Sequence, residues 1–94
     1  SLQAVTRDFA FVVDQDVESA KLVQAALKAD KKLIDNAYVF DVYEGKGLEE
    51  GQKSLALTVH LQPTDKTLTD EQIDKVADAV IASVEKATGG KLRG

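Results

Sequence analysis

Asp41 and Tyr43 stand two residues apart in a run of strand-forming residues, Asn36-Ala-Tyr-Val-Phe-Asp-Val-Tyr43. Asp is depleted from strands, so its presence there asks for a reason. An ionised carboxylate only accepts hydrogen bonds, and its paired oxygens match the paired N–H donors on the Watson–Crick edge of guanine, a pair that adenine lacks. The alternative is a solvated carboxylate or the partner of a neighbouring Lys or Arg. Side chains two apart on a strand share a face, so Tyr43 could offer a ring for the same base to stack on, a contact of about 1–3 kcal/mol; an exposed Tyr can equally be plain surface. Ser54 opens the next strand on the same face and can donate or accept, or simply edge a loop. Arg93, near the end of the chain, could fork onto phosphate or stack on a base, or solvate a terminus.

Other chemistries find little support. With no Cys, thiol nucleophiles, thiolate zinc sites and disulfides are excluded. The one histidine, His60, has no second His and no evident carboxylate partner in the sequence, and reads as packed or surface rather than catalytic. Gly45, Gly47 and Gly51 do not build a phosphate loop, because Lys53-Ser54 opens a strand where a helix is required. The acidic run Asp70, Glu71, Asp74 and Asp78 is the outer side of an amphipathic helix without calcium-loop order. No catalytic or metal-binding residue is therefore expected. A formal charge of −4 argues against gripping RNA by phosphate neutralisation alone, but leaves room for bases splayed onto a surface.

The elements that must position these residues follow from periodicity. Ninety-four residues make one domain, 1–94, with one core. No apolar run approaches a membrane span and the start has no signal-peptide pattern, so an unanchored, cytoplasmic protein is expected. Val5 to Asp14 predicts a strand with Val5, Phe9, Phe11 and Val13 inward, leaving small Ala10 on the other side. Asp14 and Asp16 are candidate caps, Asp16 the better placed, for a helix from Val17 to about Ala29 that buries Val17, Ala20, Val23, Ala26 and Leu27. Asn36 to Leu61 predicts a hairpin around the three glycines. In its second strand Leu55, Leu57, Val59 and Leu61 require a core, while Ser54, Ala56, Thr58 and His60 face away. Strict alternation in the first strand sets Tyr38, Phe40 and Val42 on one side and Ala37, Val39, Asp41 and Tyr43 on the other. Thr69-Asp-Glu-Gln72 is a capping box opening a helix to about Thr88, which buries Ile73, Val76, Ala77, Val80, Ile81 and Val84 and stops at Gly89-Gly90. Lys91 to Gly94 is assigned as a short strand covering the remaining sheet edge. This order is βαββαβ, an α+β ferredoxin-like sandwich: a four-stranded antiparallel sheet with both helices on one face and the other face open.

Arg7-Asp8-Phe9-Ala10-Phe11-Val12-Val13, Phe40-Asp41-Val42-Tyr43-Glu44-Gly45, Gly51-Gln52-Lys53-Ser54-Leu55-Ala56, Thr67-Leu68-Thr69-Asp70-Glu71 and Leu92-Arg93-Gly94, in this order and spacing, closely resemble the C-terminal ferredoxin-like anticodon-binding domain of the bacterial phenylalanyl-tRNA synthetase β subunit. The resemblance covers essentially the whole chain. It implies a fragment of a larger ligase whose catalytic centre lies in a partner α subunit, in an α2β2 heterotetramer. It further implies that this domain holds the anticodon of tRNA-Phe, with a first-position guanine on the open sheet. The family's base-contacting positions fall on Ala10, Asp41, Tyr43, Ser54 and Arg93, with Arg7, Lys53 and Lys91 as candidate backbone contacts. The parent reaction uses ATP and magnesium, and this domain itself is expected to bind no cofactor. Two rivals have different requirements. An acylphosphatase-like enzyme needs an anion-binding loop after the first strand, where Asp14 to Asp16 is acidic instead. A regulatory or protein-interaction domain would pair through its sheet.

Overall fold

The computed structural model describes residues 2–93; the Gly94 end of the assigned last strand lies outside them. The elements run β1 (Val5–Asp14), α1 (Ser19–Ala29), β2 (Ile34–Tyr43), β3 (Gln52–Leu61), α2 (Asp70–Thr88) and β4 (Lys91–Leu92). The strands form one antiparallel sheet in the order β2-β3-β1-β4. This is the expected βαββαβ arrangement, with the long β1 and β3 at the centre.

The core lies between the sheet and the two helices. Phe9, Phe11 and Val13 of β1 and Leu55, Leu57, Val59 and Leu61 of β3 are buried against Leu22, Ala25 and Ala26 of α1 and Val76, Val80 and Val84 of α2. The Phe9 and Phe11 rings stack with centroids 6.1 Å apart. Each large aliphatic side chain so buried contributes roughly 1.5–3 kcal/mol, which is why the period-two and helical patterns are obeyed here. The helices are tied together by Ser83, whose hydroxyl donates to the Ala25 carbonyl at 2.7 Å.

α2 is capped as the sequence dictates. Thr69 Oγ1 accepts from the Gln72 N–H, the Gln72 side chain accepts from the Thr69 N–H, and Gly89 ends the helix in the left-handed region at φ 74°. Gly90 is there for space: a Cβ would lie 2.6 Å from Val13 Cγ1 and 2.9 Å from the Val12 carbonyl oxygen. That close approach is what lets β4 drop beside β1.

α1 differs from its expected form. It begins at Ser19, not Val17, with Glu18 as an N-cap whose side chain makes no capping bond. Asp16 does not cap it, because the chain is still turning there: the Val17 N–H donates to the Asp14 carbonyl and the Gln15 N–H to the Gly51 carbonyl. The buried stripe is also rotated. Leu22, Ala25 and Ala26 are buried and Ala20 is exposed, while Val17, Val23 and Leu27 pack at the margin. Ala and Val alternate with so little contrast along this helix that either rotation satisfies the pattern.

Candidate nucleic-acid interface

The open face is built by β2 against β3, and two irregularities in their pairing decide what it displays. Ile34 stands opposite Leu61, Asn36 opposite His60, Ala37 opposite Val59, Tyr38 opposite Thr58 and Val39 opposite Leu57; the register then shifts, so that Asp41 stands opposite Ala56, Val42 opposite Leu55 and Tyr43 opposite Ser54. Asp35 and Phe40 are the extra residues. A bulge of this kind resets which side the following residues face. Ala37 and Val39 therefore turn to the core side, where Ala37 is buried, and Tyr38 turns to the open side, where it is 49% exposed. This overturns the strict alternation expected for β2, which set Ala37 and Val39 with Asp41 and Tyr38 apart from it. Asp41 and Tyr43 reach the open face only because Phe40 takes up one position.

The remaining strands bring the other groups to the same face. Ala10 of β1 stands opposite Ala56, and Val12 opposite Ser54. On β4, Lys91 stands opposite Val12, and the Arg93 N–H donates to the Ala10 carbonyl at 2.7 Å. Successive rows across the face thus read Lys91, Val12, Ser54, Tyr43 and then Arg93, Ala10, Ala56, Asp41. The two alanines form a low floor between Asp41 on one edge and the Arg93 backbone on the other. Arg93 reaches over that floor, its guanidinium carbon 5.2 Å from the centroid of the Tyr43 ring. A flat cation over a ring face is a favourable cation–π geometry.

Tyr43 is fixed from its far end: its hydroxyl donates to the Lys46 carbonyl at 2.9 Å. The loop that supplies this acceptor turns through Gly45, Gly47 and Gly51, all at positive φ. Gly45 is packed against the ring, since a Cβ there would lie 3.4 Å from the Tyr43 hydroxyl oxygen, and one on Gly47 would lie 3.6 Å from an Arg93 guanidinium nitrogen. The glycines flagged in the sequence hence shape the ring's surroundings, where no phosphate loop is formed. Gln15 holds both ends of the loop: its side-chain amide donates to the Glu44 carboxylate at 2.6 Å and its backbone N–H to the Gly51 carbonyl at 2.9 Å.

All five expected site residues, Ala10, Asp41, Tyr43, Ser54 and Arg93, lie on this one face. Ser54 departs from expectation in being 4% exposed. It is a floor residue between Val12 and Tyr43, and its hydroxyl has no hydrogen-bond partner among the described residues. Of the candidate backbone contacts only Lys91 shares the face. Arg7 and Lys53 stand opposite Val59 and Val13, on the helix side of the sheet, so they cannot contact a ligand seated between Asp41 and Arg93. His60 has the carboxylate partner that the sequence did not reveal: its Nδ1 meets Asp35 Oδ1, the residue set out of register by the first bulge. Two further groups on the face were not foreseen in a site. Tyr38 is one; the other is Asp8, whose carboxylate accepts from the Thr58 hydroxyl at 2.8 Å.

Among the described residues no cluster of His, Asp and Glu could hold a metal ion, and no helix is long and apolar enough to cross a membrane. A cavity of about 430 Å³ lies on the opposite side of the molecule between the helices, lined by Lys21, Lys28, Ser83 and Lys86 among others. Asp41, Tyr43 and Tyr38 are on the sheet, away from that cavity.

Comparison with known proteins shows the family of the chain. Residues 1–93 match the family described as the ferredoxin-fold anticodon binding domain. Phenylalanine–tRNA ligase beta subunits are similar along the whole chain: that of Bradyrhizobium diazoefficiens is 55% identical over 99% of this chain and 12% of its own length. That of Rhodopseudomonas palustris is 57% identical over 96% and 11%, and that of Paramagnetospirillum magneticum 56% identical over 100% and 12%. The chain thus spans about one eighth of the length of the relatives it matches. Among solved structures, a class II 3-hydroxy-3-methylglutaryl-CoA reductase from Streptococcus pneumoniae bound to NADPH is similar at a TM-score of 0.47 and 14% identity, over 96% of this chain and 28% of that one. That likeness is too loose to bear on fold or function.

Proposed function

The chain belongs to the ferredoxin-fold anticodon binding domain family, and from that premise we propose that it is the anticodon-reading part of a phenylalanine–tRNA ligase beta subunit, holding a first-position guanine of tRNA-Phe on its open sheet face. The observation that carries this reading is the convergence of a carboxylate, a ring, a hydroxyl and a guanidinium around a floor of two alanines.

Each group has one task. Asp41 accepts the paired N–H donors of the guanine edge; adenine, with no such pair, would leave the carboxylate without donors. Tyr43, held by the Lys46 carbonyl, stacks on the base. Arg93 already covers that ring, so the base enters between the two or displaces the guanidinium, which then closes over the base or onto its phosphate. Ser54 adds a hydrogen bond from the floor, and Ala10, by lacking bulk, leaves room for the base to lie flat. Lys91 is placed to meet a phosphate. Lys91 marks the β4 side of the face, so the RNA backbone passes there and the base edge points toward Asp41.

In this reading no chemistry occurs on the domain. The ligase that carries it joins phenylalanine to tRNA with ATP and magnesium, through an α subunit in an α2β2 assembly in the cytoplasm, and none of the small substrates binds here. Titration of the intact ligase with anticodon stem-loops carrying G or A at the first position tests the assignment. G is expected to bind tighter, and Asp41→Ala to narrow that preference by roughly tenfold, the worth of a charge-assisted hydrogen bond. Equal binding of the two stem-loops by the wild-type enzyme would show that Asp41 does not read the base. Pairing of the domain with another protein through its sheet is disfavoured by the two bulges in the exposed edge strand β2, since irregular edges resist strand addition.

A further inference from the structure

The bulge at Phe40 places a second ring on the open face. Tyr38 stands opposite Thr58, and Thr58 opposite Asp8 of β1, so these three form a row of their own. It lies two residues along β3 from the row holding Asp41 and Ala10, a step of about 6.6–6.8 Å. Tyr38 is half-exposed and stands on an edge strand, free to present its ring. The Thr58 hydroxyl proton is committed to Asp8 Oδ1. What Thr58 and Asp8 still offer a ligand is therefore acceptors: the lone pairs of the Thr58 oxygen and the second carboxylate oxygen of Asp8.

A ring beside a set of acceptors suits a nucleobase that stacks and presents an amino group. Adenine and cytosine do so through their exocyclic amines; uracil offers a single ring N–H flanked by carbonyls, which the carboxylate would repel. Four-stranded sheets whose aromatic side chains hold two or three successive unstacked bases are a common mode of single-stranded RNA recognition, and the row spacing here is of the size that one extended nucleotide covers. We propose that Tyr38, Asp8 and Thr58 form a second base subsite, which takes the anticodon nucleotide next to the one at Asp41 and Tyr43 and selects a base carrying an exocyclic amine. This rests on the reading of Asp41 and Tyr43 given above. Both subsites present carboxylates, which keeps phosphates away from these two rows of the face.

The test uses the intact ligase and stem-loops with guanine at the first anticodon position and, at the second, adenine, purine riboside (the same ring system without the amine) or an abasic sugar. Tyr38→Ala is expected to weaken binding of the adenine stem-loop roughly tenfold and Tyr38→Phe to retain it. The abasic sugar should weaken the wild type by more than that factor and Tyr38→Ala by clearly less, since only the amine contacts to Asp8 and Thr58 remain there to be lost. Asp8→Ala should abolish the preference for adenine over purine riboside. In every variant the first-position preference for G over A should persist, which also reports that the sheet is folded. Unchanged affinity in Tyr38→Ala, or an abasic penalty of equal size in wild type and Tyr38→Ala, would overturn the subsite while leaving the Asp41 assignment standing. Loss of G over A discrimination in the wild type strikes the Asp41 assignment itself, and with it the neighbouring position argued from it.

Discussion

The two sides of β3 obey different rules. Toward the helices it shows Leu55, Leu57, Val59 and Leu61, each no more than 1% exposed; toward the open side it shows Ser54, Ala56, Thr58 and His60. On the first side volume decides which residue is accepted, because neighbouring atoms fill the space at close-packed density. On the second, what matters is how little the residue protrudes and which lone pairs it presents. The difference teaches that the binding face is defined as much by the absence of bulk at Ala10, Ala56 and Ser54 as by the presence of Asp41, Tyr43 and Arg93. The same strand is thus a structural wall on one side and the floor of a site on the other.

That contrast can be broken at graded cost. Leu57→Ala opens a cavity in the fully buried row and is expected to destabilise the domain by about 2–5 kcal/mol, measured by denaturant unfolding. A value near zero would mean that the helix layer does not depend on that row. Gly90→Ala forces a methyl group against Val13 and the Val12 carbonyl oxygen. A loss of about 1–3 kcal/mol is expected, together with weaker RNA binding, because β4 and Arg93 are pushed away from β1. Ala56→Leu is the sharpening case. It adds bulk to the floor without touching the helix side, so stability should move by no more than about 0.5 kcal/mol while binding of the guanine stem-loop is lost. A large loss of stability with retained RNA binding would show that the open face is not where the ligand sits.

Which parts were legible in the sequence follows from the strength of the local signals. The β1 and β3 rows contrast large apolar residues with small or polar ones, so their faces could be assigned from alternation. The capping box and glycine stop marked the ends of α2. In α1 the contrast between Ala, Val and Leu positions is weak, and both its start and its buried stripe came out differently. In β2 the pattern misled, since Tyr38, Phe40 and Val42 form the more apolar-looking row yet are all about half-exposed.

The amino-acid sequence by itself determined the order of elements, the core rows of β1, β3 and α2, and the chemical kinds of group available for a base: an acid, a ring, a hydroxyl and a guanidinium. Only the tertiary structure decided that Phe40 and Asp35 are set out of register, that Tyr38 therefore joins Asp41 and Tyr43 on one face, that Arg7 and Lys53 leave it, and that Arg93 crosses from β4 to cover the Tyr43 ring. The physical reason is that alternation is a local property of one strand. Register belongs to a pair of strands, and it is fixed by which apolar residues the neighbouring strand and the helices require to be buried.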